Sequence, residues 1–462
     1  MALSIAPVPL RKKLAEFIHD TSFEKLPQNV IHQAKLCLLD LIGVSIAGSR
    51  QNVASIVHSL IPAMGGGDEV TLWGSDRKLP LLTAALMNAV QAHAIDMDDG
   101  HRYANGHPGV VTIPAAVALS EKENLAGRQL IEAIVIGYEF FIRLGSAINP
   151  DLLLRGFHTT STIGCFSSGA VAAKLLKLSR PQTENALSLS GLQSAGLLEV
   201  LHSGESGKSF QVGKAAQGGV LAGLLAQQGA DGPESVFEGE KGFFKAFAGK
   251  PCDSQSICKN LGKEFNLPSV YFKKHAACRH IHSALDAVAE IVSKHAVAPE
   301  KIDSIDIETY SIAKSLTGHI ATEDSELGAK FSTPIAIGLL LVFRQSDSSI
   351  YQNQYVSDSL VQSIAKKVTV RVNPERDKAY PGKRGASVTV KSGDQSYTHE
   401  VIYPRGEPEN PLSDNEIASK FEKNASTIYA KDRVNKIRGI ILDIENRDVR
   451  EMTSMLKAPN SS

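Results

Sequence analysis

The stretch that decides the fold extends from Val110 to Leu225 and begins VVTIPAAVALSEKENLAG (Val110–Gly127) and RQLIEAIVIGYEFFIRLG (Arg128–Gly145). Apolar residues recur along it at helical spacing, and Ala, Gly and Ser are abundant between them. Because small side chains let helix axes approach closely, this composition favours a large buried helical bundle. No strand pattern interrupts the stretch, so it predicts an all-α domain rather than alternating strands and helices.

Helical spacing also predicts two helices between Leu10 and Pro62 and another from Leu81 to His93. After Gly249 the character changes, because several segments alternate apolar and polar residues as strands do. The predicted strands are Ser304–Ser311, Lys367–Val372 and a hairpin of Gly385–Val390 with Tyr397–Tyr403. Two predicted helices accompany them, and a capping box at Ser413 and Glu416 marks a return to helix.

The chain has 462 residues, which is more than one typical domain holds. We therefore predict a mainly α protein with two domains. A large all-α domain is formed by residues 1–266 and 405–462, so that the C-terminal helices return to it. Residues 267–404 form a smaller α+β lid domain.

Composition excludes several classes of protein. Lys+Arg and Asp+Glu both number 49, and this zero net charge argues against broad binding to nucleic acids or anionic membranes. The longest apolar run, near Ile335–Phe343, is shorter than the roughly 20 residues that a bilayer requires, so we expect no membrane span. No basic start followed by an apolar segment is seen, so we expect no secretory signal. Five scattered cysteines fit reduced thiols in a cytoplasmic protein.

The richest cluster of titratable residues is HAIDMDDGHRYANGHPG, from His93 to Gly109. It follows a predicted helix and contains His93, Asp96, Asp98, Asp99, His101, Arg102 and His107. So many acids and imidazoles on one helix end and loop predict a catalytic carboxylate–imidazole set. Two alternatives stay open: a solvated polar loop, or a metal site, since His and Asp are ordinary metal ligands.

Three further segments carry candidate functional groups. In GFHTTSTIG, His158 precedes a helix start and suits general acid–base work, or it packs at a helix end. In SGESGKSFQVGKAAQGG, Lys208 suits carboxylate binding at a helix N-terminus, or it is a solvated lysine. In FKKHAACRHIHSALDA, the basic residues suit anion binding or a solvated helix start. Cys278 and three histidines there match no closed zinc pattern.

The order and number of several motifs resemble the MmgE/PrpD family, whose members include 2-methylcitrate dehydratase, cis-aconitate decarboxylase and iminodisuccinate epimerase. The resemblance covers nearly the whole chain and rests on LCLLDLIGVSIAG, HAIDMDDGH with GHP, GFHTTSTIG, GK…GKAAQGG, CRHIHSALDA, AKFSTPIAI, YPGKRGASVTV and GEPENPLSD. It implies a large helical domain, a smaller α+β lid and a cleft between them. It also implies a homodimer that works without a metal or an organic cofactor.

The residues that resemble the family's catalytic residues are Asp96, His107, His158, Lys208 and Lys273. One residue is inserted before His107, so either Asp96 or Asp98 takes the acid position. We also predict that substrate is bound by two residues of the His93–Gly109 cluster, His101 and Arg102, and by two residues of FKKHAACRHIHSALDA, Arg279 and His282. The chain departs from the family pattern at His275, where a tyrosine is common, at Lys314, near a tyrosine of decarboxylase-like members, and at Gly109, where a serine is frequent.

The predicted function is that of a cofactor-independent lyase acting on a small di- or tricarboxylate. Removal of a proton next to a carboxylate creates extra negative charge, which Lys208, Lys273 and Arg279 would stabilise. Our first hypothesis is dehydration of a 2-methylcitrate-like hydroxy acid. Decarboxylation of a cis-aconitate-like acid and epimerisation of an iminodisuccinate-like acid are alternatives on the same scaffold. A metal-dependent hydrolase using the Asp/His cluster and a non-catalytic polycarboxylate-binding protein are alternatives from other classes.

Overall fold

The structure is a computed structural model that describes residues 8–201, 207–321 and 325–459. Helices make up 60% of it and strands 8%, which confirms the predicted mainly α fold. Residues 202–206, which include most of the loop predicted before Lys208, lie outside the described residues.

Within the described residues, the regular elements of the first part of the chain are helices and one two-stranded ribbon. Its helices are α1 (Leu10–Asp20), α2 (Gln28–Gly48), α3 (Asn52–His58), α4 (Leu81–His93), α5 (Gly109–Lys122), α6 (Gly127–Ile148), α7 (Asp151–Leu154), α8 (Thr159–Leu175), α9 (Arg180–Leu192), α10 (Gly207–Gln227), α11 (Phe243–Ala248) and α12 (Ser254–Cys258). The ribbon pairs β1 (Val70–Thr71) with β2 (Lys78–Leu79) in antiparallel fashion. The all-α prediction for Val110–Leu225 is thus confirmed over the described residues.

Helix α8 is the centre of this bundle and packs against α5, α6, α9 and α10. Its small residues allow a very close approach to α10. A Cβ atom on Gly219 would lie 2.0 Å from Ser168 Oγ and 2.4 Å from the backbone nitrogen of Gly169. Ser168 Oγ also donates a hydrogen bond to the carbonyl oxygen of Ala215 at 2.9 Å. The abundance of Gly, Ala and Ser therefore reflects backbone-to-backbone packing, which larger side chains would prevent.

The second part of the chain combines a sheet with shorter helices. Its helices are α13 (His282–His295), α14 (Ser311–Thr317), α15 (Glu326–Lys330), α16 (Thr333–Phe343), α17 (Asn353–Val356), α18 (Ser359–Ala365) and α19 (Pro374–Ala379). Its strands are β3 (Ser304–Thr309), β4 (Val368–Val372), β5 (Ala386–Ser392) and β6 (Gln395–Val401), in the order β4-β3-β5-β6. Strand β3 is parallel to β4 and antiparallel to β5. The β5–β6 hairpin turns through Gly393, whose φ of +57° favours glycine.

The chain ends with α20 (Asp414–Ala425), α21 (Lys431–Leu442) and α22 (Val449–Met455). The predicted capping box is confirmed, since Ser413 and Glu416 bond each other's backbone N–H groups. Apolar residues of these helices belong to the same core as the first part of the chain, whereas a second core covers the sheet and its helices. The C-terminal helices thus return to the first domain as predicted, while the boundaries at 266/267 and 404/405 stay predictions.

One predicted segment differs from the structure. The segment predicted as two helices contains a third helix, α3, because the chain turns after Gly48. At Gly48, α2 lies so close to α4 that a Cβ atom would be 1.9 Å from the Gln91 carbonyl oxygen.

Helix α2 is long and apolar enough to cross a membrane by length and composition. However, 83% of its apolar window is buried inside the protein, as in a core helix.

A buried ion pair connects the C-terminal helices to the loop after α4. Lys420 of α20 lies 2.7 Å from Asp40 Oδ1 of α2 and donates a hydrogen bond to the Met97 carbonyl oxygen at 2.7 Å. Burial raises the pKa of Asp40, and the charge of Lys420 opposes that rise. One lysine therefore neutralises a buried carboxylate and fixes the backbone beside Asp96 and Asp98.

Replacing Lys420 by Met should lower stability by about 3 kcal/mol, because it leaves a buried carboxylate without its partner. The measurement is urea unfolding followed by the fluorescence of Trp73, the single and fully buried tryptophan. The control is Lys423→Met, which removes an exposed lysine paired with Asp347 and should change stability by less than ~1 kcal/mol. Equal effects of the two substitutions would contradict the role given to Lys420.

Asp99 fixes the other end of the same loop. Its Oδ1 accepts a hydrogen bond from the Gly109 N–H at the start of α5 at 3.0 Å, and its Oδ2 accepts one from the Tyr138 hydroxyl of α6 at 2.7 Å. Burial, together with the charges of Asp98 and Asp40, raises the pKa of Asp99 to about 7. The folded protein therefore holds Asp99 protonated at pH values where the unfolded chain ionises it.

The raised pKa of Asp99 predicts the direction in which stability changes with pH. A carboxyl whose pKa is raised on folding stabilises the fold at acidic pH and loses that contribution as pH rises toward the folded pKa. The stability of the wild type relative to Asp99→Asn should thus fall between pH 4 and pH 7, by as much as ~4 kcal/mol at ~1.4 kcal/mol per pKa unit. Urea unfolding of both proteins across this range tests it, and a constant or rising difference would contradict it.

Candidate active site

A cavity is lined by residues of both parts of the chain. It encloses about 80 Å³, several times the space that one water molecule needs. The predicted residues that line it are Asp96, His107, His158, Lys208, Lys273 and Arg279. The structure therefore brings together at one cavity all the residues expected to be catalytic and one of those expected to bind substrate.

Asp96 is the anionic centre of this cavity. It follows the end of α4, and its φ of +55° lies in the left-handed region, at a cost of about 1 kcal/mol for a residue with a Cβ. Lys208, in the first turn of α10, lies 2.5 Å from Asp96 Oδ1, and Lys273 lies 3.1 Å from Oδ2. Lys273 also donates to the Asp96 carbonyl oxygen at 2.9 Å. Burial raises the pKa of Asp96, but the two lysines bring it well below its usual range.

Asp98 lies behind the cavity and holds two imidazoles. Its Oδ2 accepts a hydrogen bond from His93 Nδ1 at 2.9 Å and lies 3.1 Å from His107 Nδ1. Burial raises the pKa of Asp98, but the neighbouring imidazoles lower it more, so that it stays ionised. Of the two acids left open by the sequence, Asp96 therefore faces the cavity and Asp98 orients histidines.

His107 and His158 present one ring nitrogen each to the cavity. His107 Nδ1 donates to the Asp99 carbonyl oxygen at 2.6 Å, and His158 Nδ1 donates to Gln211 Oε1 at 3.1 Å. Their Nε2 atoms are therefore the free acceptors. Burial lowers the pKa of His107 to about 3, and burial with the charge of Lys208 holds the pKa of His158 well below its usual range. Both imidazoles are neutral at neutral pH and suited to accept a proton.

The residues predicted to bind substrate separate into two groups. Arg279 lines the cavity and pairs with Glu407 at 3.0 Å, and His282 Nδ1 accepts a hydrogen bond from Arg279 Nη1 at 3.0 Å behind it. His101 and Arg102 are not among the lining residues. His101 bonds Ser269 and the Ala104 N–H, and Arg102 pairs with Glu409.

The lining also contains His280 and Arg384, which are not among the predicted site residues, although His280 belongs to the basic segment predicted to suit anion binding. Arg384 lies within the quoted motif YPGKRGASVTV, but nothing in its local pattern distinguishes it from a surface arginine before a strand. Lys314 is exposed, and the neighbouring Ile312 and Leu316 line the cavity in its place. His275 bonds Asp286 and Ser346 and is not a lining residue.

The donor set fits a metal poorly. His93, Asp98 and His107 place ligand atoms within 4.8 Å of one another. However, the Nδ1 atoms of both histidines carry the protons that they donate to Asp98 and to the Asp99 carbonyl, so neither offers a lone pair there. Burial also raises the pKa of Cys278 to about 11, which disfavours the thiolate that a zinc ligand requires.

Among the described residues, the lining of the cavity contains four cationic side chains and one carboxylate: Lys208, Lys273, Arg279 and Arg384, and Asp96. With neutral imidazoles beside them, these groups can bind a small polyanion, stabilise negative charge that develops on it, and move a proton.

Both parts of the chain match models of a known protein family. The MmgE/PrpD N-terminal domain matches residues 12–255, and the MmgE/PrpD C-terminal domain matches residues 275–446. The chain is 27% identical to the cis-aconitate decarboxylase-like protein oryM of Aspergillus oryzae and 28% identical to the cis-aconitate decarboxylase of Mus musculus. It is 22% identical to the 2-methylcitrate dehydratase of Cupriavidus necator.

These matches extend over nearly complete chains. They cover 96%, 97% and 91% of this chain, and 96%, 93% and 92% of the three relatives in the same order. The relatives are enzymes, and both parts of the chain match the same family. This protein therefore belongs to the MmgE/PrpD family.

Proposed function

We propose that this protein is a lyase that decarboxylates a cis-aconitate-like tricarboxylate. The observation that carries the proposal is the buried carboxylate Asp96 held between Lys208 and Lys273, with His107 and His158 beside them in one cavity. The choice of decarboxylation is supported by the relatives named cis-aconitate decarboxylase, which are 25–28% identical, against 20–22% for those named 2-methylcitrate dehydratase.

The lysines act on the charge of the substrate. When the bond to the departing carboxylate breaks, carbon dioxide leaves and the electron pair of that bond forms a new double bond to the nearer alkene carbon. The electron pair of the former double bond moves to the farther alkene carbon, which receives the proton. Negative charge then spreads over the carbon next to a second carboxylate. Ammonium groups held in place by Asp96 need no rearrangement to stabilise that charge, and burial strengthens their effect.

The imidazoles act on the proton. The alkene carbon must receive one proton as carbon dioxide leaves, and the unliganded imidazoles of His107 and His158 are neutral. A substrate carboxylate bound beside them is an opposite charge at short range, which raises an imidazole pKa. Substrate binding would thus load His158 or His107 with the proton that the carbon receives.

Dehydration of a 2-methylcitrate-like hydroxy acid is the second candidate. It is favoured by the free Nε2 atoms of the two neutral histidines, which suit a base that removes a proton next to a carboxylate. A lysine ammonium would then assist the departing hydroxide. The homodimer and the cytoplasmic location remain predictions made from the sequence.

Substitution at the site should lower turnover by orders of magnitude and leave the fold intact. Lys208→Ala should lower kcat by at least about 10²-fold because it removes a preorganised charge, and His158→Ala by about 10²–10⁴-fold because it removes the proton carrier. The matched control is Lys214→Ala, an exposed lysine on the same helix, which should keep wild-type activity. Circular dichroism verifies folding, and near-wild-type rates in both site variants would refute the proposal.

Proton NMR in deuterated water identifies the reaction. Chelator-treated protein is incubated with cis-aconitate, 2-methylcitrate, citrate and iminodisuccinate. Decarboxylation predicts two terminal alkene signals from cis-aconitate, with one deuteron in the new methylene group. An alkene from 2-methylcitrate alone would instead establish dehydration, and exchange at an α-carbon without bond loss would establish epimerisation. Activity that returns only after addition of a divalent metal would overturn the cofactor-independent mechanism.

A further inference from the structure

The cations that line the cavity differ in how their charge is balanced. Lys208 and Lys273 share Asp96, and Arg279 pairs with Glu407 at 3.0 Å. Arg384 lines the same cavity, but the described residues give it no carboxylate within ion-pair distance. Burying a cation without an anion costs free energy. A ligand that brings a negative charge to Arg384 therefore gains more binding free energy than a ligand that does not.

The surroundings of Arg384 orient its guanidinium group without neutralising it. The residue is 4% exposed and lies just before β5. Its Nη2 donates to the Arg102 carbonyl oxygen at 2.7 Å, and its guanidinium lies 5.6 Å from the centre of the Tyr380 ring. Its Nε is buried and has no hydrogen-bond partner among the described residues. A planar guanidinium held in this way retains N–H groups for a carboxylate.

His280 provides a second donor in the same region. Its Nδ1 lies 2.5 Å from the Tyr310 hydroxyl, and the Tyr310 ring stacks on Tyr380 at 4.9 Å. If the hydroxyl donates to Nδ1, the proton of the neutral imidazole is on Nε2. Arg384 and His280 thus flank one pair of tyrosines and both reach the cavity.

We propose that Arg384, assisted by His280, binds a substrate carboxylate that does not react, and so sets the requirement for at least two carboxylates. The proposal rests on the proposed function, in which Lys208 and Lys273 bind the region where bonds break. Arg384 belongs to the second part of the chain and bonds a carbonyl in the loop of the first part.

Binding of unreactive acids separates this inference from the reaction. Dissociation constants of propane-1,2,3-tricarboxylate, glutarate and butanoate are measured by ligand-observed NMR titration. The proteins are the wild type, Arg384→Gln, Arg384→Lys and the control Arg371→Gln, an exposed arginine of β4 paired with Asp306. The wild type and the control should prefer both polycarboxylates to butanoate by at least about tenfold, the worth of one charged hydrogen-bonded contact.

Arg384→Gln should remove most of that preference and leave butanoate affinity unchanged, and Arg384→Lys should keep part of it. With the reacting substrate, Arg384→Gln should raise KM by about tenfold or more and change kcat less. An unchanged preference for polycarboxylates over butanoate in Arg384→Gln would overturn the inference. An equal loss of affinity for all three acids would also overturn it, because that result indicates a structural role for Arg384.

If Arg384→Gln does not fold, the Arg384→Lys variant provides the test. A full wild-type preference in that variant would refute a guanidinium–carboxylate contact. If the wild type turned over none of the four acids of the NMR panel, the proposed function would be refuted, but the binding measurements would still test the role of Arg384.

Discussion

The packing of both parts of the chain depends on one ionised carboxylate, that of Asp96, being held inside the protein. Asp96 is buried, and it stays charged because two ammonium groups from distant parts of the chain meet at its two oxygens. Those lysines can reach it only if α10 is packed against α4 and the segment after Tyr271 passes the end of α4. The tight Gly, Ala and Ser packing of the bundle is thus the means by which the charges are brought to fixed positions.

The same loop shows how one residue type serves different purposes according to its partners. Asp96 faces cations and the cavity, Asp98 faces imidazoles, and Asp99 faces a hydroxyl and a backbone N–H. Their pKa values consequently move apart, below the usual range for Asp96 and Asp98 and to about 7 for Asp99. Only Asp96 is suited to hold the lysine charges that face the substrate. Asp98 and Asp99 instead fix the loop that carries Asp96.

Much of this could be predicted from the sequence, because the helical periodicity, the strand alternation and the clustering of His and Asp are local patterns. The roles of Asp96 and Asp98 could not be separated, since they are two residues apart and differ only in which distant side chains meet them. Arg384 could not be found either, because its place in the cavity depends on the packing of β5 against a loop almost 300 residues earlier. His101 and Arg102 were grouped with the site by proximity in sequence, yet the loop turns their side chains toward Ser269 and Glu409.

The contact between Lys420 and the Met97 carbonyl joins positions 323 residues apart. During synthesis, therefore, helices α1–α19 and the sheet are synthesised before the chain contains the lysine that fixes the loop beside Asp96. The loop beside Asp96 therefore gains this support only when the last helices have folded back onto the first part of the chain. Loss of the C-terminal helices would accordingly remove both the support of the charged loop and a part of the first core.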